Sequence, residues 1–188
     1  MLDGGCNVGE SGLWSRVRAG VEELLPLLHL GSNHNAPGVF AVAPFRGTFD
    51  HTLDAKNRLT VPARYRAALA GGVVLAMPAD REPCIGIWQR EEYERYSRRA
   101  IEGLPALSAA RAELERFFYG SSHDADLDAA GRIMLPARFI EHASLVKDVL
   151  VVGAGERLEL WGPKRWSEHL PALLSGVGEM TAHVDDTA

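Results

Sequence analysis

DAKNRLTVPARY, residues 54–65, returns as DAAGRIMLPARF, residues 128–139, at an offset of 74 positions. Six of the twelve places are identical: Asp54/Asp128, Ala55/Ala129, Arg58/Arg132, Pro62/Pro136, Ala63/Ala137 and Arg64/Arg138. Leu/Ile, Val/Leu and Tyr/Phe exchanges fill three of the others. Further along, CIGIW from Cys84 and RLELW from Arg157 stand 73 apart, and a helix-like stretch follows each. The simplest account is one unit duplicated in tandem.

Each copy reads alike by local rules. FRGTFDHTL (Phe45 to Leu53) is strand-like. Lys56-Asn57, or Ala130-Gly131, forms a tight connection, with Asn or Gly supplying the positive φ of a hairpin turn. The shared tolerance of Asn57 and Gly131 for left-handed backbone points to geometry, not side-chain chemistry, as the constraint there. RLTV and RIML make the next strand, and Pro62 or Pro136 then opens a short helix, where a missing N–H costs nothing. VVLAM (Val73 to Met77) or VLVV (Val149 to Val152) returns as an apolar strand, and CIGIW or RLELW closes the unit. The predicted order is strand, strand, helix, strand, strand. A unit of about 45 residues buries its apolar face poorly alone, so the two copies must interlock. Trp88 and Trp161 occupy matching places and read as large packing residues.

Between the copies, SAARAELERFF (Ser108 to Phe118) has helical spacing, with Ser108 as its N-cap. The domain reading is an N-terminal extension at 1–44, a first repeat at 45–95, a helical connector at 96–118, a second repeat at 119–166, and a helix end and tail at 167–188. The extension carries Gly and Asn clusters around one amphipathic stripe (Leu13, Val17, Val21, Leu24, Leu28) and has no counterpart in the repeat.

Composition is ordinary for a globular chain, with 46% hydrophobic and 24% charged residues. No apolar run approaches the ~20 residues of a membrane span, and nothing resembles a secretion signal, so a soluble cytoplasmic protein with no membrane partner is expected. Cys6 and Cys84 sit in unrelated contexts, which fits a reducing compartment. DADLDAAG at Asp124 fails as a calcium loop because its glycine falls at the eighth place and Leu135 stands where the closing Glu belongs. The histidines lack ligand spacing, SSHD (Ser121 to Asp124) lacks a nucleophile elbow, and no phosphate-binding glycine loop is present. No enzyme activity, metal, cofactor or small-molecule substrate is therefore expected.

The formal charge is −5, but its distribution matters more than its sum. Phe45 to Arg66 holds Arg46, Lys56, Arg58, Arg64 and Arg66 against Asp50 and Asp54, a local charge of +3. The matching stretch of the second copy, Tyr119 to Ile140, sets Arg132 and Arg138 against Asp124, Asp126 and Asp128, or −1. A bound polyanion would thus be held mostly by the first copy. Two readings stay open, a DNA-binding regulator and an oligomeric scaffold that binds protein. Arg58 has two as well, a base-reading arginine or a partner for Asp54 across the turn.

The doubled motif D-x-x-(G/N)-R-x-x-x-P-A-R, with FRGTFDHTLDAKNRLTVPARYR and VLVVGAGERLELW around it, resembles the MraZ family of bacterial transcriptional regulators over residues 45–174. That resemblance implies an α+β fold, an AbrB-like swapped-hairpin (double-split β-α-β) barrel built from two tandem SpoVT-AbrB repeats in one chain. It further implies a homo-oligomeric ring, nucleoid-associated, that binds short direct repeats of promoter DNA and usually represses the division and cell-wall gene cluster. By motif position the DNA-binding residues are Arg58, supported by Lys56, with Arg132 as the second-copy match and Arg46 and Arg64 adding charge. Asn57 departs from the family's usual glycine.

Overall fold

Asn57 and Gly131 both take positive φ, 57° and 74°, as the two turns require. The computed structural model describes residues 44–80 and 82–185, with side chains to residue 176. The first copy supplies β1 (Thr48–Thr52), β2 (Arg58–Thr60), α1 (Ala63–Arg66), β3 (Val73–Ala76) and β4 (Ile85–Gln89). Two helices follow, α2 (Arg90–Glu102) and α3 (Ala109–Gly120). The second copy repeats the order as β5 (Ser122–Ala125), β6 (Arg132–Met134), α4 (Ala137–His142), β7 (Asp148–Gly153) and β8 (Arg157–Trp161), and α5 (Pro163–Asp185) ends it. Expectations for the first 43 residues lie outside the described part.

The hairpin expected of β1 and β2 does not form. Leu53 and Leu59 make one isolated bridge beside the turn, after which the strands part. β1 pairs with β7 of the other copy, β5 pairs with β3, and β2 pairs with β6, all antiparallel. The result is a six-stranded sheet in the order β1-β7-β8-β4-β3-β5 and a two-stranded ladder, β2-β6. The reason is burial. A lone hairpin offers Leu59 or Ile133 nothing to pack on, whereas exchange places the two opposite each other in the ladder, both fully buried.

The ladder is extended symmetrically. Val61 N–H donates to Gly131 O and Leu135 N–H donates to Asn57 O, each at 3.0 Å. One main core joins the ladder to the sheet through Leu59, Val61, Ile133, Leu135, Leu75, Ile87, Val151 and Leu158. The other face of the sheet is covered separately for each copy. α2 and α3 close over Trp88 with Tyr93, Ile101 and Phe118, and the Tyr93 hydroxyl donates to Phe118 O at 2.7 Å. α5 brings Trp166 onto Trp161 and Val152. Both matching tryptophans are therefore packing residues. Ser108 caps α3, its hydroxyl accepting from Arg111 N–H at 3.2 Å. Pro62 and Pro136 sit at the N-caps of α1 and α4, one place ahead of the first helical residue. α5 runs on to Asp185, through the stretch read from sequence as a tail.

Candidate nucleic-acid interface

The two turns are built identically from one carboxylate. Asp54 N–H donates to Arg58 O at 3.0 Å and Asn57 N–H donates to Asp54 O at 2.9 Å, closing the bend. The Asp54 side chain fills it, Oδ1 accepting from Lys56 N–H at 2.8 Å and Arg58 N–H at 3.0 Å. Asp128 does the same for Ala130 N–H at 2.9 Å and Arg132 N–H at 3.0 Å. This is the local side-chain-to-backbone bonding that makes Asp a turn former.

The second carboxylate oxygen holds the arginine. Asp54 Oδ2 accepts from Arg58 Nε at 2.7 Å and lies 2.6 Å from Nη2. Asp128 Oδ2 accepts from Arg132 Nε at 2.8 Å and lies 2.7 Å from Nη2. The Arg58 side chain beside Asp54 holds that carboxyl at about 2, well below its usual value. Arg132 depresses Asp128 likewise, and the same bond raises Arg132. The ion pair across the turn, one of two open readings of Arg58, is thus present in both copies. The two pairs also adjoin, with Arg58 Nη1 3.9 Å from Asp128 Oδ2.

Alternation along the ladder decides what faces outward. Leu59 and Ile133 point into the core, so Arg58, Thr60, Arg132 and Met134 share the opposite face. Arg58 stands opposite Met134, and Thr60 opposite Arg132. Met134 is 50% exposed on that face. Thr60 and Met134 were missed in the sequence, although the period-two rule applied to RLT and RIM already places them beside the arginines.

The remaining cations fall into separate groups. Lys56 is exposed at the tip of the first turn and has no ion-pair partner among the described residues, while its counterpart is Ala130. Arg46 and Arg64 lie together away from that turn, because Tyr65 bonds the Arg46 backbone, accepting from its N–H at 3.0 Å and donating to its carbonyl. β1 stands between Arg46 and the turn, five residues or about 17 Å of strand, and Arg64 lies on α1, beyond β2. Arg64 is exposed, with its guanidinium carbon 5.2 Å from the Tyr65 ring centre. Arg66 turns inward, Nε donating to Val61 O at 2.9 Å.

The second copy withholds its charge. Arg138, the match of Arg64, donates to Ser122 O at 2.6 Å and Gly120 O at 3.3 Å. Asp124 and Asp126 face Arg90 at 3.5 and 3.8 Å. Among the described residues no group of three or more His, Cys, Asp or Glu is set to hold a metal, and no helix is long and apolar enough to cross a membrane.

These features define a duplicated, strand-exchanged α+β protein whose ladder presents paired arginines. The family described as "MraZ protein, putative antitoxin-like" matches residues 45–115 and 118–175, one segment per copy. "Transcriptional regulator MraZ" of Heliobacterium modesticaldum is 37% identical over 125 residues, covering 66% of this chain and 85% of that protein. The proteins of that name from Thiobacillus denitrificans and Halothermothrix orenii are 38% and 30% identical, covering 70% and 76% of this chain and 89% and 97% of theirs. The chain belongs to the MraZ family of transcriptional regulators, which is not a family of enzymes.

Proposed function

We propose that this protein is a sequence-specific DNA-binding regulator, and that the outer face of the β2-β6 ladder is its reading surface. The observation that carries this is the pair of outward arginines, Arg58 and Arg132, on a ribbon narrow enough for a major groove of about 12 Å. Arg58 reads base edges and Arg132 supports it. Lys56, at the tip, and Arg46 with Arg64, a strand's length away, neutralise phosphates on either side. The first copy does most of the binding because Lys56, Arg46 and Arg64 have no ion-pair partner among the described residues, whereas the second copy has Ala130 in place of Lys56 and holds Arg138, the match of Arg64, on backbone carbonyls.

In this reading the ladder closes the sheet into a swapped-hairpin barrel, and several chains assemble head to tail into a ring. Each chain contributes few phosphate contacts. Adjacent chains on successive direct repeats convert that weak binding into useful affinity through effective concentration. The target is the promoter of the division and cell-wall cluster, the protein's own included, the effect is repression, and the protein resides on the nucleoid in the cytoplasm. The acidic second copy and the overall charge of −5 favour the competing reading, a protein-binding scaffold.

A gel shift with the DNA upstream of the protein's own gene, repeated across salt, separates the two. A DNA binder loses affinity with a log–log slope of about −0.9 per phosphate contact. Arg58→Ala abolishes the specific complex while leaving the assembly intact. A complex insensitive to salt, or an Arg58→Ala protein that shifts DNA as well as the wild type, contradicts the reading.

A further inference from the structure

The two carboxylate oxygens of Asp54 have separable tasks. Oδ1 accepts the Lys56 and Arg58 amides, which any turn-forming side chain with one carbonyl oxygen can do. Among the described residues Oδ2 accepts only from the guanidinium, through Nε and Nη2. That occupies the side edge of the fork. The end edge, Nη1 with the second hydrogen of Nη2, has no hydrogen-bond partner among the described residues, since Asp128 Oδ2 at 3.9 Å from Arg58 Nη1 is out of range. Two parallel donors on that edge are what guanine O6 and N7 accept. Asp128 holds Arg132 by the same edge.

A carboxylate at a surface that meets phosphates is an electrostatic cost, and here it occurs twice. The copies differ in side-chain type at 56/130, 57/131 and 60/134, yet the Nε distances are 2.7 and 2.8 Å and the Nη2 distances 2.6 and 2.7 Å. An unheld arginine loses rotamer freedom when it docks, and a held one has already given that up.

We propose that Asp54 and Asp128 are positioning residues for DNA reading, each gripping its arginine by the side edge so that the end edge is presented to a guanine. The inference rests on the DNA-binding reading above and adds a sign to it. Asp54→Asn removes a negative charge, which by phosphate attraction alone tightens binding to every duplex. It also keeps one oxygen for the turn amides and sets an NH2 against Arg58 Nε–H, which releases the fork. Positioning therefore requires specific and non-specific affinity to move in opposite directions.

The experiment compares the full chain with Asp54→Asn and Asp128→Asn on two probes, the upstream duplex and a scrambled duplex of equal length and composition. Asp54→Asn is expected to bind the upstream duplex at least 10-fold more weakly and the scrambled duplex as tightly or more tightly, with a smaller effect of the same sign for Asp128→Asn. A second readout needs no DNA. Phenylglyoxal modification followed by mass spectrometry should label Arg58 several-fold more slowly than exposed Arg64 in the wild type, and at a similar rate in Asp54→Asn. An Asp54→Asn protein that binds the upstream duplex as tightly as wild type overturns the inference alone. So does an Arg58 that reacts as fast as Arg64 in the wild type, whether or not any variant folds. A wild type that binds neither duplex overturns the DNA-binding reading, and this inference with it.

Discussion

Leu59 and Ile133 face each other across the two-stranded ladder, each the counterpart of the other 74 residues away (133 minus 59), and neither is exposed at all. They mark the point where the two copies of the repeat meet, directly behind the arginine face.

Leu59→Ala and Ile133→Ala should each destabilise the fold by about 2–5 kcal/mol, because a buried side chain is lost and the exchanged strands have little room to collapse. The double substitution should cost less than the sum, with a coupling of about 0.5–3 kcal/mol, since the second deletion enlarges a cavity the first has opened. Urea unfolding of the four proteins measures this. Simple additivity would mean the two side chains do not share one cavity.

The two turns should respond differently to a change of residue. Gly131 has φ 74°, and a Cβ there would come within 2.6 Å of Arg66 Nε. Gly131→Ala should cost about 1–2 kcal/mol for the left-handed backbone alone. Asn57→Gly, at φ 57°, should change stability by less than about 0.5 kcal/mol. Adding Arg66→Ala should recover the steric part of the Gly131→Ala loss and leave the backbone part. Thermal or urea unfolding of the variants checks each step.

Local features of the chain were legible in sequence, and long-range ones were not. The positive φ at Asn57 and Gly131 and the Ser108 cap depend on a few adjacent residues, and the repeat and the matching places of Trp88 and Trp161 are visible by laying one segment against the other. The partner of β1 does not. A strand, a tight turn and a strand satisfy a hairpin and a strand exchange equally, and the choice is made by Leu59 meeting Ile133 across the whole repeat. The charge of Phe45 to Arg66 likewise joins residues close in sequence, while β1 separates Arg46 from the turn and the helix after β2 carries Arg64. The ion pair of Arg58 with Asp54 is one of the two readings the sequence leaves open, and the side edge by which the carboxylate takes the guanidinium is set by the folded geometry of the turn.

The Asp54 carboxyl, held at about 2 by the Arg58 side chain first and by turn amides after it, gives a pH prediction with a definite sign. Its pKa is lower folded than unfolded, where a free Asp titrates near about 3.9. The stabilising pair is therefore intact above the unfolded value and is lost as pH falls through about 2. The Asp54 carboxyl carbon, followed by NMR in the folded protein, should show a midpoint near 2, moving up toward the unfolded value in Arg58→Ala. A wild-type midpoint near about 4 would mean the pair does not form in solution.

The central claim, that the outer face of the β2-β6 ladder meets DNA, is tested most directly by the ε-methyl group of Met134, which is 50% exposed beside Arg58. With the methionine methyls labelled with carbon-13, titration with the upstream duplex should shift the Met134 resonance strongly and leave Met77, packed against the main core, unmoved. A Met134 resonance that stays in place while the duplex is bound would contradict the account, because the DNA would then lie on another surface.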